Sequence, residues 1–309
     1  LLERADVVIQ NLAPGAARRL GLGAEWLLPK YPRLIVCDVS GYGDNGSYGS
    51  KKPYDLLVQA EAGVLSVTGT ADTPSKVGIS IGDIATGMYA YSGILTALYQ
   101  REKSGKGTRI EVSLFEALAE WMGYPLYYTR FGGTPPARTG PDHATIVPYG
   151  RYQTGDGKSI MLGLQNEREW KIFCENVLMQ PELAQDSRYS SNSKRAANRS
   201  EINALIGKVF VTLTSEELIE RLDASGIANA RMNTPDEVWE HPQLKARNRW
   251  REIDSPVGSL ATLLPPVTMP DFEARLDRVP ALGEHTDRIL KEFGYDSENI
   301  AELHKAGVV

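Results

Sequence analysis

One carboxylate in the sequence lies where an extended segment meets the start of a helix. Asp83 follows Gly82 at the end of the apolar residues 77–81. Apolar residues then recur at spacings of four and three, at Ile84, Met88, Tyr91, Leu95 and Leu98. This stripe predicts a helix from Asp83 to about Glu102. Gly82 and Gly87 allow other backbone or a ligand to come close, and Asp83 is a candidate reactive group.

A second interpretation of Asp83 requires no chemistry. The oxygens of an aspartate at a helix start can accept hydrogen bonds from the first free N–H groups, which would make Asp83 an N-cap. The pKa of an ordinary aspartate is about 3.9, and a helix N-terminus would lower it by less than about one unit. As a nucleophile, Asp83 would therefore be activated by desolvation and positioning rather than by a base.

Composition and charge exclude several classes of function. The chain has 309 residues, of which 42% are hydrophobic and 24% charged, as is typical of a globular protein long enough for two domains. The net charge is −5 and the basic residues are dispersed, which gives no footprint for nucleic acid or an anionic membrane. No apolar run reaches the roughly 18 residues of a membrane span, and the first residues lack the order of a signal peptide. We expect a cytoplasmic protein with neither nucleic acid nor membrane as a partner.

The two cysteines stand alone in different segments. Cys37 lies in a strand-like run and Cys174 in a helix-like run. Their separation suggests neither a disulfide framework nor a metal site. We predict that both are buried small hydrophobic residues.

The first part of the chain has the pattern of an α/β fold. Residues 5–10 and 33–39 are short, nearly continuous apolar runs separated by a helical stretch, and residues 109–114 supply a further strand. Such runs predict a parallel sheet covered on both faces. Ligands of these sheets bind beyond the carboxyl ends of the strands. Asn11 and residues 40–43 are therefore expected to face the site.

A Gly- and Pro-rich linker at residues 132–140 divides the chain. After it, residues 149–164 predict a hairpin, and capping boxes at residues 214–217 and 234–237 predict helix starts. The segments suggest a large α/β domain at 1–131, a small domain at 141–249 and a return segment at 250–309.

Three separated blocks resemble the class III CoA-transferases, a family that includes formyl-CoA transferase and carnitine CoA-transferase. One block is Gly82-Asp83 with Thr86-Gly87-Met88, continued by residues 95–113. Residues 5–23 resemble the family's CoA-binding strand, turn and helix, and residues 282–286 (LGEHT) resemble its closing motif. The blocks fall along nearly the whole chain in the family's order.

The resemblance implies an enzyme that moves CoA from an acyl-CoA to a free carboxylic acid, with Asp83 as covalent nucleophile. The intermediates would be an aspartyl anhydride and an aspartyl-CoA thioester. CoA would be a substrate, with no permanently bound cofactor and no metal. The glycine-rich flap of formyl-CoA transferase is absent, which argues against formyl-CoA and oxalate and favours succinyl-CoA with a small dicarboxylate or a branched hydroxy acid.

The resemblance also implies an architecture. A Rossmann-like large domain and a smaller α+β domain would form an open ring, and two rings would interlock as an obligate homodimer. The family opens with a further βαβ segment that this sequence lacks. We therefore expect the chain to be truncated at its N-terminus, with part of the CoA pocket outside it.

Five residues match positions along the family's CoA groove. Asn11 and Leu12 would lie beside the nucleotide, Arg19 near adenine or phosphate, and Lys52 and Tyr54 along the groove. The alternative for Asn11 is turn formation. For Arg19 and Lys52 it is a solvated surface charge.

Three further residues are candidate substrate contacts. His143, near the linker, would bind a substrate carboxylate or help to close the site, although a lone histidine is more often structural. Gln165 and Glu167 follow a strand in a segment that resembles a site-facing part of the family.

Two other functions stay open. The fold also resembles that of the α-methylacyl-CoA racemases, which pair the aspartate with a histidine for proton exchange. This sequence has Tyr54-Asp55 at that place, and a tyrosine with a pKa of about 10 is a poor base at neutral pH. A non-catalytic CoA-binding protein is the other alternative, and the intact Gly82-Asp83 pair argues against it.

Overall fold

A parallel sheet of three strands organises the first part of the chain. In the computed structural model, which describes residues 1–309, β1 (Val7–Gln10), β2 (Ile35–Ser40) and β3 (Arg109–Ser113) pair in the order β1-β2-β3. Both pairings are parallel, with Val7 opposite Ile35 and Val36 opposite Arg109. The central strand is buried, as its run of β-branched residues indicates. The predicted parallel sheet is confirmed.

Helices connect these strands and bring all three carboxyl ends to the same edge. They are α1 (Ala16–Arg19), α2 (Ala24–Lys30), α3 (Asp55–Glu61), α4 (Val64–Val67) and α5 (Ile81–Ser104). The helix α4 is a single turn that follows α3 almost directly. Gly63, at φ +82°, ends α3 and lets a new turn begin directly after it.

The predicted long helix is confirmed as α5, but its apolar stripe faces outward. The residues that α5 buries are mostly small, namely Gly82, Ala85, Thr86, Ala90, Ala97 and Arg101. The side chains of Ile84, Met88, Tyr91 and Leu95 are exposed. Small residues allow α5 to lie close to its neighbours, while its larger apolar residues remain uncovered in the single chain.

Two helices follow β3, namely α6 (Leu114–Trp121) and α7 (Gly123–Gly132). The break at Met122 places Pro125 in the first turn of α7, where its missing N–H breaks no hydrogen bond. These helices expose four aromatic side chains, those of Trp121, Tyr124, Tyr127 and Tyr128.

The linker residues 133–140 contain no helix or strand, but they are anchored. The guanidinium of Arg138 donates to the carbonyl oxygens of Ser66, Thr70 and Ala71. The Gly140 N–H donates to the Gly69 carbonyl oxygen at 2.8 Å. These bonds fix the linker to the loop that precedes α5.

An antiparallel sheet follows the linker. Its strands β4 (Tyr149–Gln153), β5 (Ser159–Gly163) and β6 (Ala228–Arg231) pair in chain order, and the predicted hairpin is confirmed. The accompanying helices are α8 (Glu167–Ile172), a π-helical turn (Phe173–Val177), α9 (Asn192–Ala197), α10 (Arg199–Phe210) and α11 (Ser215–Ala224). Trp170, Phe173 and Phe210 lie in the core between sheet and helices. The capping box at Thr214 is confirmed.

Residues Leu1–Arg231 form one compact unit and Met232–Val309 a second. The second contains α12 (Pro235–Trp239), α13 (Pro242–Ala246), β7 (Trp250–Ser255), β8 (Gly258–Leu263), α14 (Thr286–Glu292) and α15 (Ser297–Lys305). The capping box at Thr234 is confirmed. The domain boundaries inferred from the sequence stay predictions.

The cysteines lie in the interior of the first unit. Cys37, in β2, and Cys174, in the π-helical turn, are both free and buried, as predicted. Burial raises the pKa of each thiol. None of the helices combines the length and the apolar composition that a bilayer crossing requires.

Candidate active site

A cleft of about 1010 Å³ opens where β1 and β2 end. Its walls include the turn after β1, the loop after β2, the start of α3 and the first turns of α5. The residues expected at this edge, Asn11 and Ser40 to Gly43, line it. The parallel topology produces this arrangement, because the strand ends and the loops that follow them meet at the same side of the sheet.

Asp83 lines the cleft as the third residue of α5. The N-cap of this helix is Ser80, so the N-cap interpretation of Asp83 is wrong. Its carboxylate accepts no hydrogen bond and forms no ion pair. Asp83 is exposed in the single chain, but partial desolvation in the cleft, and secondarily the charge of Asp55, raises the pKa of Asp83. The direction of this shift is opposite to that expected from the helix terminus alone.

Two polar residues of α3 hold the chain on either side of residues 78–81. Asp55 Oδ1 accepts a hydrogen bond from the Gly82 N–H at 2.7 Å, and Asp55 Oδ2 accepts one from Gln59 Nε2 at 2.7 Å. Gln59 is fully buried, and its Oε1 accepts from the Val77 N–H at 2.9 Å. Neither residue was predicted from the sequence as part of the site; Asp55 was considered only because it follows Tyr54, which stands at the position of the racemase histidine. A spacing of four within a helix is the signal that pairs them.

Gly82 is required for this contact. A Cβ atom at residue 82 would lie 3.0 Å from Asp55 Oδ1 and 3.2 Å from Leu118 Cδ1. Both distances are tighter than ordinary contacts to a side-chain carbon. The glycine before Asp83 therefore allows a carboxylate to reach the helix start.

Four cations line the cleft, and three of them are already paired. Arg18 contacts Glu25 at 3.2 Å, Arg109 contacts Asp38 at 2.6 Å, and Lys51 pairs with Glu61. The ammonium of Lys51 also lies over the ring of Tyr48. Lys52 has no carboxylate partner. It is therefore the lining cation most available to an anionic ligand.

The predicted groove residues divide into two sets. Asn11, Leu12, Lys52 and Tyr54 line the cleft together with Asp83. The Asn11 side chain makes no hydrogen bond, so it is available to a ligand. Arg19 does not line the cleft, whereas its neighbour Arg18 does. The rotation between successive helical residues accounts for this difference.

The three candidate substrate contacts lie outside the cleft lining. His143 Nδ1 accepts from the N–H groups of Thr145 and Ile146, and its ring stacks on Tyr149 at 5.1 Å. The Glu167 carboxylate is bonded to Arg195 at 2.5 Å and to the Asn192 N–H at 3.0 Å. These contacts organise the local chain.

Gln165, the third of these candidates, is exposed two residues after β5. Its backbone N–H donates to Glu169 at 2.7 Å.

Comparison with protein families identifies the family of the chain. The family model described as CoA-transferase family III matches residues 1–286. This chain belongs to CoA-transferase family III. The predicted enzyme class is therefore confirmed.

Relatives of this family III chain match nearly all of it. An acyl-CoA transferase of Fusarium pseudograminearum is 35% identical, covering 100% of this chain and 68% of the relative. The succinyl-CoA:glutarate CoA-transferase of Homo sapiens is 32% identical, covering 98% of this chain and 70% of the relative. The crystal structure of a CAIB/BAIF family protein from Brucella suis superposes with a TM-score of 0.83 at 32% identity, covering 94% of this chain and 76% of that one.

Proposed function

We propose that this protein transfers CoA from succinyl-CoA to a small dicarboxylic acid, with Asp83 as the covalent carrier. The observation that carries the proposal is the Asp83 carboxylate, which lies in the cleft with no hydrogen-bond or ion-pair partner and with a raised pKa. An unpartnered carboxylate has lone pairs available for attack. The human relative that acts on succinyl-CoA and glutarate supports this choice of donor and acceptor.

The reaction proceeds in two symmetrical halves. One Asp83 oxygen attacks the thioester carbon, a C–O bond forms, and the C–S bond breaks to release CoA as a thiolate. The thiolate then attacks the aspartyl carbon of the anhydride, which forms an aspartyl-CoA thioester and releases the donor acid as a carboxylate. The acceptor carboxylate repeats these steps in reverse and restores the Asp83 carboxylate.

Binding of the distant nucleotide contributes to the chemical step. An anhydride is hydrolysed readily, so the occupied cleft must exclude water, and contacts remote from the thioester can supply the energy for this. We assign Asn11, Leu12, Lys52 and Tyr54 to the CoA groove because they line the same cleft as Asp83. Lys52 suits a phosphate, since no carboxylate neutralises it.

We also propose that the protein acts as a homodimer of interlocked rings. The apolar stripe of α5 begins at Ile84, directly after Asp83, and continues through Met88, Tyr91 and Leu95 with all four side chains exposed. Contiguous apolar surface of this kind marks an interaction site. A second subunit that covers the stripe would also desolvate Asp83. Sedimentation at nanomolar concentration tests this, because an active monomer would contradict it.

A panel of donors and acceptors tests the transfer reaction. Succinyl-CoA, acetyl-CoA and formyl-CoA are each combined with glutarate, a branched hydroxy acid and oxalate, and new acyl-CoA is measured by mass spectrometry. We expect the fastest transfer from succinyl-CoA to the dicarboxylate or hydroxy acid, and none with the Asp83→Asn variant. Deuterium exchange at the α-carbon of a branched acyl-CoA, without CoA transfer to any acid, would support a racemase instead.

A further inference from the structure

The chain between α4 and α5 reaches Asp83 through a segment with few contacts of its own. Residues 78–80 contain no helix or strand. The backbone groups that bracket the segment, the Val77 N–H and the Gly82 N–H, donate to Gln59 and Asp55. Both acceptors belong to α3. Two side chains of another helix therefore bond the backbone on both sides of the connection to α5.

We propose that Asp55 and Gln59 are positioning residues of the transfer reaction, which hold Asp83 in the orientation for attack while the Asp55 charge favours its acylated forms. This inference rests on the proposed covalent role of Asp83. Gln59 acts through Asp55, since the Gln59 Nε2 group donates to Asp55 Oδ2 and so fixes the carboxylate whose other oxygen binds Gly82.

The arrangement is more elaborate than a helix cap needs. A serine at residue 80 already occupies the N-cap position, and its side chain makes no capping hydrogen bond. Serine is among the residues that cap helices most effectively. Here the acceptor comes instead from α3, and a glycine makes room for it. The connection fixes α5 relative to the cleft wall that α3 forms, which a cap within the same chain segment would not do.

The second contribution of Asp55 is electrostatic. Its negative charge faces Asp83 and adds to the partial desolvation that raises the pKa of Asp83. Acylation removes the charge from Asp83 and transfers it to the departing thiolate. Repulsion by Asp55 therefore destabilises the free carboxylate more than the anhydride or the thioester, and so lowers the barrier to attack. Lys52 and Arg109 also line the cleft, and Arg109 is paired with Asp38.

Rapid-quench measurement of Asp83 acylation by succinyl-CoA tests the proposal. Four variants are compared with the wild type, namely Asp55→Ala, Asp55→Asn, Gln59→Leu and, as a matched control, Asp72→Ala. Asp72 is an exposed aspartate outside the cleft lining. Thermal unfolding of each variant measures the fraction that is folded, so that rates refer to folded protein.

We expect Asp55→Ala to slow acylation about 100-fold, as a misplaced reacting group does, with the KM for succinyl-CoA within about twofold of wild type. Asp55→Asn keeps an oxygen that can accept from the Gly82 N–H, so its acylation should be about tenfold faster than that of Asp55→Ala. The acylation rate of Gln59→Leu should lie between those of Asp55→Ala and Asp55→Asn. The acylation rate of Asp72→Ala should equal that of the wild type.

Each outcome separates this inference from the proposed function. Absence of an adduct on Asp83 in the wild type would overturn both. An adduct that forms equally fast in the wild type and in folded Asp55→Ala would overturn the positioning role alone. A loss of acylation rate that is proportional to the loss of folded protein would show that Asp55 has only a structural role. A change in KM alone would show the same. If Asp55→Asn equals the wild type, the electrostatic part is wrong.

Discussion

Asp83 and Asp156 each follow a glycine, yet the protein uses them in opposite ways. The Asp83 carboxylate has no hydrogen-bond partner in the cleft, and partial desolvation with the charge of Asp55 raises its pKa. Asp156, in the turn between β4 and β5, accepts from Thr154 Oγ1 at 2.5 Å, from the Ser215 N–H at 3.0 Å and from Ser215 Oγ at 2.8 Å. These hydrogen bonds lower its pKa. The surroundings of an aspartate, rather than its neighbours in sequence, decide whether it is reactive.

The comparison has a consequence for stability. Folding favours the protonated form of a group whose pKa is raised, so the ionised Asp83 opposes folding at neutral pH. Folding favours the ionised form of a group whose pKa is lowered, so Asp156 stabilises the fold above its unfolded pKa of about 3.9. The ionised Asp83 thus lowers the stability of the fold, and hydrogen-bonded carboxylates such as Asp156 offset this loss of stability.

The largest effect should come from removing the reactive carboxylate. Asp83→Asn should lower kcat by at least about 10³-fold, because the other carboxylates that line the cleft are each ion-paired or hydrogen-bonded, namely Glu25, Asp38, Asp44 and Asp55. Its melting temperature at pH 7 should equal or exceed that of the wild type, since an ionised group that opposes folding has been removed. Steady-state kinetics and calorimetry measure the two quantities. A variant that retains near-wild-type turnover would remove Asp83 from the mechanism.

Gly82→Ala should have the next largest effect. The added Cβ would lie 3.0 Å from Asp55 Oδ1, so the carboxylate or the helix start must shift. We expect kcat to fall between about tenfold and 100-fold with little change in KM, as for a misplaced reacting group. A Gly82→Ala variant that is less stable than the wild type but keeps its turnover would contradict a role of this glycine in placing Asp83.

Lys52 resembles Asp83 in lacking a partner, which makes it the cation to test. Lys52→Ala should raise the KM for succinyl-CoA about tenfold, since a hydrogen bond to a charged group contributes about 1.5–3 kcal/mol. The matched control is Lys208→Ala, an exposed lysine of α10 that does not line the cleft. An unchanged kcat/KM in Lys52→Ala would exclude this residue from the CoA groove.

The smallest effect on activity is expected for Asp156→Asn. The amide replaces a carboxylate that four donor groups contact, including the Lys158 N–H at 3.3 Å. The melting temperature of the Asp156→Asn variant should fall by a few degrees at pH 7, while kcat stays at the wild-type value. The difference in melting temperature should shrink as the pH is lowered through about 4, where the unfolded aspartate protonates. A pH-independent difference would show that hydrogen bonding without charge accounts for it.

The sequence predicted the sheet and the helix that carries Asp83 because their patterns are local. The apolar run of β2 and the periodicity of α5 each lie within one segment. The outward direction of the α5 stripe was not predictable in this way, because an apolar stripe fits a protein interface as well as a core. The capping boxes at Thr214 and Thr234 were predicted correctly for the same reason as the strands, since each box spans only four residues.

Residues that act across segments were harder to predict. The bond from Gly82 to Asp55 joins positions 27 residues apart, and neither residue type specifies the other. The same limit applies to Glu167, whose pairing with Arg195 spans 28 residues. Only the folded arrangement of α3 beside α5 shows why a glycine precedes Asp83.

Chemical trapping of Asp83 tests the central claim most directly. The protein is incubated with succinyl-CoA, the intermediate is captured with hydroxylamine, and the modified peptide is mapped by mass spectrometry, with Asp83→Asn and a sample without donor as controls. The account predicts a hydroxamate on Asp83 in the wild type and in neither control. Turnover without modification of Asp83, or a hydroxamate on another carboxylate, would contradict it.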